Sequence, residues 1–280
     1  MPFDGLHVLS LESRRAREIE GMIRRLGGDA FVAPSVQERA LEDHRDAVHF
    51  VDRLEAGDFD LVVLMTGAGL SFLRDVVAAH MPVERLAAGL RCVTIVSRGS
   101  KPIPLLREMN VPVHVVVPEP NTWKEIVDAV AARNERRIAV QEYGRPNREM
   151  YDSLVALGAH VTPVAIYRWE LPADCEPLRE AARRLAAGQI DMVVFTSSIQ
   201  LDHLLEIARG LGSEAQVLDA LRHRAAIASI GPVMTDTLAS YGLAPDIVPN
   251  HPKMGSLVKA AADLGASAVR AKRARAAGGR

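Results

Sequence analysis

Apolar residues along this chain fall into two alternating patterns. Short runs rich in valine and isoleucine are separated by longer stretches in which apolar positions recur every three or four residues. The short runs read as strands buried on both faces and the long stretches as crossover helices, the alternation of parallel α/β folds. The first strand is His7–Ser10, followed by a helix over 14–26 with Ile19, Met22, Ile23 and Leu26 on one face, and by a strand over 31–34. A helix over 44–54 turns Val48, Val51 and Leu54 inward. Next come a strand over 61–65, a helix over 70–79, a strand over 91–96, a helix over 101–109 and a strand over 113–117. Thr122 and Glu125 have the spacing of a capping box that opens one more helix.

The pattern is then written again. Residues 8–129 recur as 138–260, in the order of landmarks rather than in residue identity. Leu26-Gly27 and Leu157-Gly158 each end a helical stretch, and an offset of 131 positions relates Gly57 to Gly188 and Thr66 to Ser197. Solenoid repeats have periods of roughly 20 to 50 residues, so this is a duplicated domain rather than an array. In each copy an extended stretch, 34–39 and 163–170, follows the opening β-α-β unit. If both are linkers, the chain crosses twice between two rigid bodies and forms a hinge, and ligand sites are common at domain interfaces. Each copy then gives its opening unit to the other lobe. The expected domains are 1–35 plus 171–268, and 36–170, with a disordered tail over 269–280. Thr66 and Ser197 are expected to face each other across one cleft. The fold class is α/β: two similar doubly wound parallel-sheet domains joined by a two-stranded linker, an internal duplication with exchanged segments.

Composition agrees and narrows the function. A chain of 280 residues is near the size at which one core divides into two. With 34 basic against 35 acidic side chains there is no global field for nucleic acid or a membrane surface, so anion binding must be local. Cys92 and Cys175 are isolated thiols, which fits a reducing compartment. No secretory leader is visible at the start and no apolar stretch approaches the ~18 residues that span a bilayer. The expectation is a soluble cytoplasmic monomer.

In doubly wound sheets, ligands bind beyond the carboxyl ends of strands, where loops lead into helix N-termini. Four loops fit. Thr66, Gly67 and Ala68 follow one strand and Ser197, Ser198 and Ile199 follow its repeat equivalent. Arg98 and Lys101, and Ser229, Gly231, Pro232 and Val233, follow the next pair. Free backbone amides and the helix dipole suit carboxylate or phosphate there, and the arginine and lysine add charge; the alternative for the hydroxyl residues is simple N-capping. No dinucleotide fingerprint, P-loop, H-E-x-x-H or G-x-S-x-G occurs, so neither a nucleotide cofactor, a metal nor a serine hydrolase has support, and no cofactor is expected. His44 and His49, five apart, read as surface residues. Tyr143, beside Gly144 and Arg145, and Tyr167 stand where strands of the second copy end. A phenol there either donates a proton to a leaving group or fills a domain corner.

The combination resembles uroporphyrinogen-III synthase. The matching pieces are Val193-Val194-Phe195-Thr196-Ser197, Ser229-Ile230-Gly231-Pro232-Val233-Met234-Thr235 with Tyr241-Gly242-Leu243 behind it, and Gly158-Ala159-His160-Val161 leading to Ile166-Tyr167-Arg168. Single motifs are weak; their order and spacing over 7–264 are specific. The resemblance implies two α/β domains with the active site in the cleft between them. It implies a lyase of porphyrin and heme biosynthesis that needs no cofactor and closes hydroxymethylbilane, a linear tetrapyrrole with eight carboxylates, into uroporphyrinogen III. Loss of the terminal hydroxyl gives an azafulvene, and a spiro intermediate inverts ring D before closure. By the same resemblance Tyr167 assists departure of the hydroxyl. The amides of 197–199 and 231–233 meet acetate and propionate groups, and Thr66, Gly67 and Arg98 face them from the other lobe. One departure stands out: many members have Thr-Arg-Pro after the first strand, where this chain has Ser10-Leu11-Glu12, with Arg14 and Arg15 as candidate replacements for the arginine.

Two other readings follow from the same residues. A two-lobed binding or sensor protein for a polyanionic small molecule would share the lobes and the hinge without turnover. A dinucleotide-dependent reductase would need a fingerprint that is not present.

Overall fold

The structure, a computed structural model, describes residues 2–278. The chain runs β1 (His7–Ser10), α1 (Ala16–Arg25), β2 (Asp29–Val32), β3 (Gln37–Ala40), α2 (Arg45–Glu55), β4 (Leu61–Leu64), α3 (Gly67–Ala78) and α4 (Val83–Arg91). It continues β5 (Thr94–Ser97), α5 (Ile103–Glu108), β6 (Val115–Val116), α6 (Trp123–Ala131), β7 (Arg137–Gln141), α7 (Arg148–Ala156), β8 (His160–Val164) and β9 (Tyr167–Glu170). Last come α8 (Glu176–Ala186), β10 (Met192–Phe195), α9 (Ile199–Gly210), α10 (Glu214–His223), β11 (Ala226–Ser229), α11 (Pro232–Ser240) and α12 (Met254–Gly278). Two compact units result: residues 1–37 with 170–280, and residues 38–169.

The first unit holds a four-stranded sheet in the order β11-β10-β1-β2, with every pairing parallel. Successive strand residues point to opposite faces. Leu9, Val193, Phe195 and Ile227 therefore pack with α8, α9 and α10 residues such as Leu178, Leu204 and Val217. Val8, Met192, Val194 and Ala228 face Ile19 and Ile23 of α1 and Leu257, Val258 and Ala261 of α12.

The second unit holds a five-stranded sheet in the order β6-β5-β4-β7-β8, again all parallel. Val62, Leu64, Ile95 and Ala139 meet α2, α3 and α4, while Leu61, Val63, Ile138 and Val140 meet α6 and α7. Both central strands, β4 and β10, are buried at every position, which is why they read in the sequence as unbroken apolar runs. β3 and β9 pair with each other at the two places where the chain passes from one unit to the other.

Several boundaries differ from expectation. The strand expected over 91–96 begins at Thr94, because Arg91 closes α4, an unpredicted helix whose Leu86, Ala87 and Leu90 are buried. The strand expected over 113–117 shrinks to β6, and the one over 31–34 moves to Asp29–Val32. Val48 is only partly buried; Ala47 and Phe50 accompany Val51 and Leu54 on the inner face of α2. The capping box forms as its spacing predicts: Thr122 Oγ1 accepts from Lys124 N, and Glu125 Oε2 accepts from Thr122 N at 2.7 Å.

The tail is a correction. The sequence pattern predicts disorder over 269–280, yet α12 continues through Gly278, with Gly279 and Arg280 outside the described residues. Val269 is buried against the sheet, and Lys272, 5% exposed, places its Nζ 2.7 Å from Asp246 Oδ2. Arg275 reaches the other oxygen of Asp246 at 3.2 Å and Arg273 reaches Asp191 at 2.6 Å. The stretch has few apolar side chains, so ion pairs rather than an apolar stripe fasten it. Among the described residues no helix is long and apolar enough to cross a membrane.

Candidate functional site

In the second unit the candidate residues gather at the carboxyl end of the sheet. Thr66 follows β4 with extended backbone and caps α3, its Oγ1 accepting from Gly69 N at 2.9 Å. The capping reading of this loop is therefore correct, and the hydroxyl does a second thing: it lies 3.2 Å from Tyr167 Oη. Tyr167, at the start of β9, is 3% exposed, and its ring stacks on Phe72 of α3 with centroids 5.3 Å apart.

Two glycines in this turn are required by close approach. A Cβ on Gly67 would lie 2.6 Å from the carbonyl oxygen of Lys101, and one on Gly69 would collide with the side-chain amide of Gln141. Gln141, the last residue of β7 and buried, also places its Oε1 3.4 Å from Thr66 N. Sequence reading missed it; a lone glutamine closing the run Arg137–Gln141 is the signal that could have found it.

Arg98 lies beyond β5, its guanidinium 4.3 Å above the ring of Tyr143. Tyr143 in turn meets Trp169 edge to face at 4.5 Å, and Arg145 lies 6.0 Å from the Trp169 ring. Two cations thus bracket two aromatic rings, an arrangement worth about 0.5–1 kcal/mol per cation at an exposed site. Trp169 is absent from the residues that the sequence singles out. Gly144 sits in this turn at positive φ, and Lys101 is exposed at the start of the segment leading to α5. Glu142, between Gln141 and Tyr143, is a buried carboxylate that accepts from Tyr151 Oη at 2.7 Å. Burial, then the bond to Glu142, pushes the Tyr151 phenol well above the usual tyrosine range.

In the first unit, β1 and β10 are neighbours, and their carboxyl ends bring two loops together. The amides of Thr196 and Ser197 both point at Gln200 Oε1, at 2.8 and 3.3 Å, and Gln200 Nε2 donates back to Thr196 Oγ1 at 2.8 Å. The Thr196 hydroxyl donates to Glu12 Oε2 in a short bond, and Arg15 N donates to Glu12 Oε1 at 3.2 Å. Ser198, buried, and Ile199 lead into α9. The Arg15 guanidinium binds Glu18, its Nε 2.6 Å from Oε2, and also feels the charge of Glu12.

Ser229 is also committed internally, its Oγ 3.2 Å from Gly231 O and 3.1 Å from Thr235 Oγ1. Gly231 precedes α11, which Pro232 and the exposed Val233 begin. Among the described residues no group of three or more His, Cys, Asp or Glu side chains is arranged to hold a metal ion. His49 is exposed as expected, but His44 is partly buried and pairs Nδ1 to Nε2 with His80 at 2.8 Å.

These geometries coincide with likeness to known proteins. A family model described as uroporphyrinogen-III synthase HemD matches residues 17–259. The putative uroporphyrinogen-III synthase of Methanothermobacter thermautotrophicus is 28% identical over 233 residues, covering 82% of this chain and 87% of that protein. The uncharacterized protein YjjA of Bacillus subtilis is 23% identical over 248 residues, covering 88% and 91%. Among solved structures, a mutant uroporphyrinogen III synthase from the extremely thermophilic bacterium Thermus thermophilus is similar with a TM-score of 0.69 at 24% identity, covering 91% of this chain and 96% of that one. The uroporphyrinogen-III synthetase from Helicobacter pylori is similar in fold at 0.56 and 10% identity, covering 92% and 99%.

Proposed function

We propose that this chain, which belongs to the uroporphyrinogen-III synthase family, is a lyase that closes hydroxymethylbilane with inversion of ring D to uroporphyrinogen III without a cofactor. The observation that carries this reading is the buried phenol of Tyr167, whose oxygen is held by Thr66 and whose ring is held by Phe72. A group fixed at both ends is preorganised, and preorganised donors act on a transition state without reorganising at the moment of reaction.

In this mechanism the Tyr167 phenol gives its proton to the terminal hydroxyl as the carbon–oxygen bond breaks, and that oxygen leaves as water. Arg98, Lys101 and Arg145 supply positive charge to the substrate's carboxylates, and Tyr143 supplies a ring face in the turn made by Gly144. Thr66, Gly67 and Ala68 with their helix start carry the amides of one anion contact. Ser198 and Ile199 carry those of a second contact beside Ser197, and Gly231 and Val233 those of a third, in a turn shaped by Ser229 and Pro232, which has no N–H to donate. The same reading makes the chain a duplication with exchanged segments. The sheet order β11-β10-β1-β2 matches β5-β4-β7-β8 once each strand is replaced by its repeat equivalent, which supports it.

Incubation with freshly made hydroxymethylbilane, followed by oxidation and separation of the porphyrin isomers, tests the proposal. Isomer III in excess over the spontaneous isomer I supports it; isomer I alone removes it. A second reading, binding of a polyanionic small molecule without turnover, is favoured by one observation: this chain has Ser10-Leu11-Glu12 where many members have Thr-Arg-Pro, and Glu12 bonds Thr196 beyond β10. Tight binding with no isomer III would select it.

A further inference from the structure

We infer that Gln141 is a positioning residue for the reacting phenol: its side-chain oxygen holds the backbone of Thr66, and Thr66 holds the Tyr167 oxygen. The inference rests on the proposed reading in which the Tyr167 phenol is the proton donor.

The two copies of the repeat place the same atom beside the same amide, and they do so from different positions in the chain. In the second unit Thr66 N donates to Gln141 Oε1 at 3.4 Å. In the first unit Ser197, 131 positions after Thr66, donates from its own N to Gln200 Oε1 at 3.3 Å. Gln200 stands in α9 at the repeat equivalent of Gly69. Gln141 instead comes from the neighbouring strand β7, where it lies beside Leu64 of β4. Its own counterpart in the first sheet is Leu11, since Val8 lies beside Met192 as Ile138 lies beside Leu61. One unit therefore has Gly69 with Gln141, and the other has Gln200 with Leu11. The exchange is compensated in space, because a Cβ on Gly69 would collide with the Gln141 amide. Both glutamines are buried, 1% and 2% exposed. The acceptor is kept while its source changes, as a buried backbone N–H requires.

What differs is the element to which the turn is tied. With its acceptor on β7, the Thr66 turn is held to the sheet rather than to its own helix. Gln141 Nε2 donates to Glu142 O, which fixes the orientation of the amide. Thr66 Oγ1 accepts from Gly69 N at 2.9 Å and lies 3.2 Å from Tyr167 Oη. With one lone pair so engaged, the Thr66 proton can turn to Tyr167 Oη and meet the phenolate that forms as the phenol gives up its proton. The first copy has no such oxygen to place: β3 opens with Gln37 where β9 opens with Tyr167.

Steady-state turnover of hydroxymethylbilane to isomer III tests this in the full chain, in Gln141→Leu, in Tyr167→Phe and in the double variant. Gln141→Leu should lower kcat by about tenfold and leave KM unchanged, since the displaced group acts on the transition state and not on substrate binding. In the Tyr167→Phe background the same substitution should change kcat by less than about twofold, because the oxygen that Gln141 positions is gone. An equal fall in both backgrounds is the mark of a merely structural role and overturns the inference, as does an unchanged kcat in Gln141→Leu. Gly69→Gln combined with Gln141→Leu copies the arrangement of the first unit and should recover most of the lost kcat. That variant also serves if Gln141→Leu alone does not fold, and a folded copy as slow as Tyr167→Phe overturns the inference. In all these outcomes the unmodified chain makes isomer III. An unmodified chain that makes none overturns the inference together with the proton-donor reading.

Discussion

Tyr167 Oη and Thr66 Oγ1, 101 residues apart in the chain, stand 3.2 Å from each other at one end of a single sheet. Thr66 is fixed by its bond from Gly69 N and Tyr167 by its stack on Phe72, so neither hydroxyl depends on a ligand for its place.

Tyr167→Phe keeps the ring on Phe72 and removes only the phenolic oxygen. The variant is expected to unfold close to the parent temperature while turnover of hydroxymethylbilane falls by about 10²-fold, the lower range for a lost general acid. Initial rates with isomer separation check this, and unchanged turnover would take Tyr167 out of the proposed role.

Gly69→Ala drives a methyl into the Gln141 amide. Overpacking of this kind costs about 1–3 kcal/mol. Gln141→Ala opens the space, so the double variant should lose less stability than the sum of the two single ones. Urea denaturation of all three proteins measures the coupling, and strict additivity would count against the contact.

Asp246 joins the end of the chain to its sheet, accepting from Lys272, Arg275 and the Ile227 amide at once. Asp246→Asn leaves the buried ammonium of Lys272 without its counter-charge, and removing one partner of a buried pair costs about 3–5 kcal/mol. Burial already lowers the Lys272 pKa, and Asp246 opposes that shift. A drop in melting temperature with earlier proteolysis of the C-terminal segment is expected; a melting temperature equal to the parent's would show that the pair contributes nothing.

Acid should weaken the second unit through two carboxylates. The Arg137 guanidinium and the Arg137 amide hold Asp60 at about 2, and the Arg133 guanidinium holds Glu135 at about 2. Both folded values lie below the unfolded ones, so the stabilisation is full above about pH 4–5 and is lost as pH falls through about 2. These groups are partly solvated, which keeps the effect modest. The difference between denaturation midpoints at neutral pH and near pH 2.5 should shrink when Asp60 is replaced by Asn, Glu135 still contributing, and an identical pH slope in parent and variant would remove Asp60 from the account.

The order of strands and helices is readable because burial on both faces leaves a plain signature. Leu61–Leu64 and Met192–Phe195 are apolar at every position and buried at every position. Thr122 and Glu125 likewise form their cap from residues three apart, a purely local device. α4 escapes sequence reading because its apolar positions, including Leu86 and Leu90, are interrupted by Gly89 and run almost directly into Val93, which blurs the period. The helical tail escapes it because Lys272 is buried through a charge supplied 26 residues away. The site is half legible. Thr66 and Tyr167 stand at strand ends where chemistry is expected, but Gln141, Trp169 and Gln200 gain their roles from neighbours that only the fold supplies.

The strand orders also fix a schedule of assembly. All strands of the five-stranded sheet lie between residues 38 and 169, so that sheet is complete in sequence before β10 has been synthesised. β1 and β2 leave the ribosome first, yet the partner that flanks β1 on its other side begins only at Met192. Such long-range pairing is slow to form, and an unpaired strand edge is a template for wrong partners. The unit that begins the chain is the last to be finished, and a nascent chain paused after residue 169 carries one completed sheet and one waiting edge.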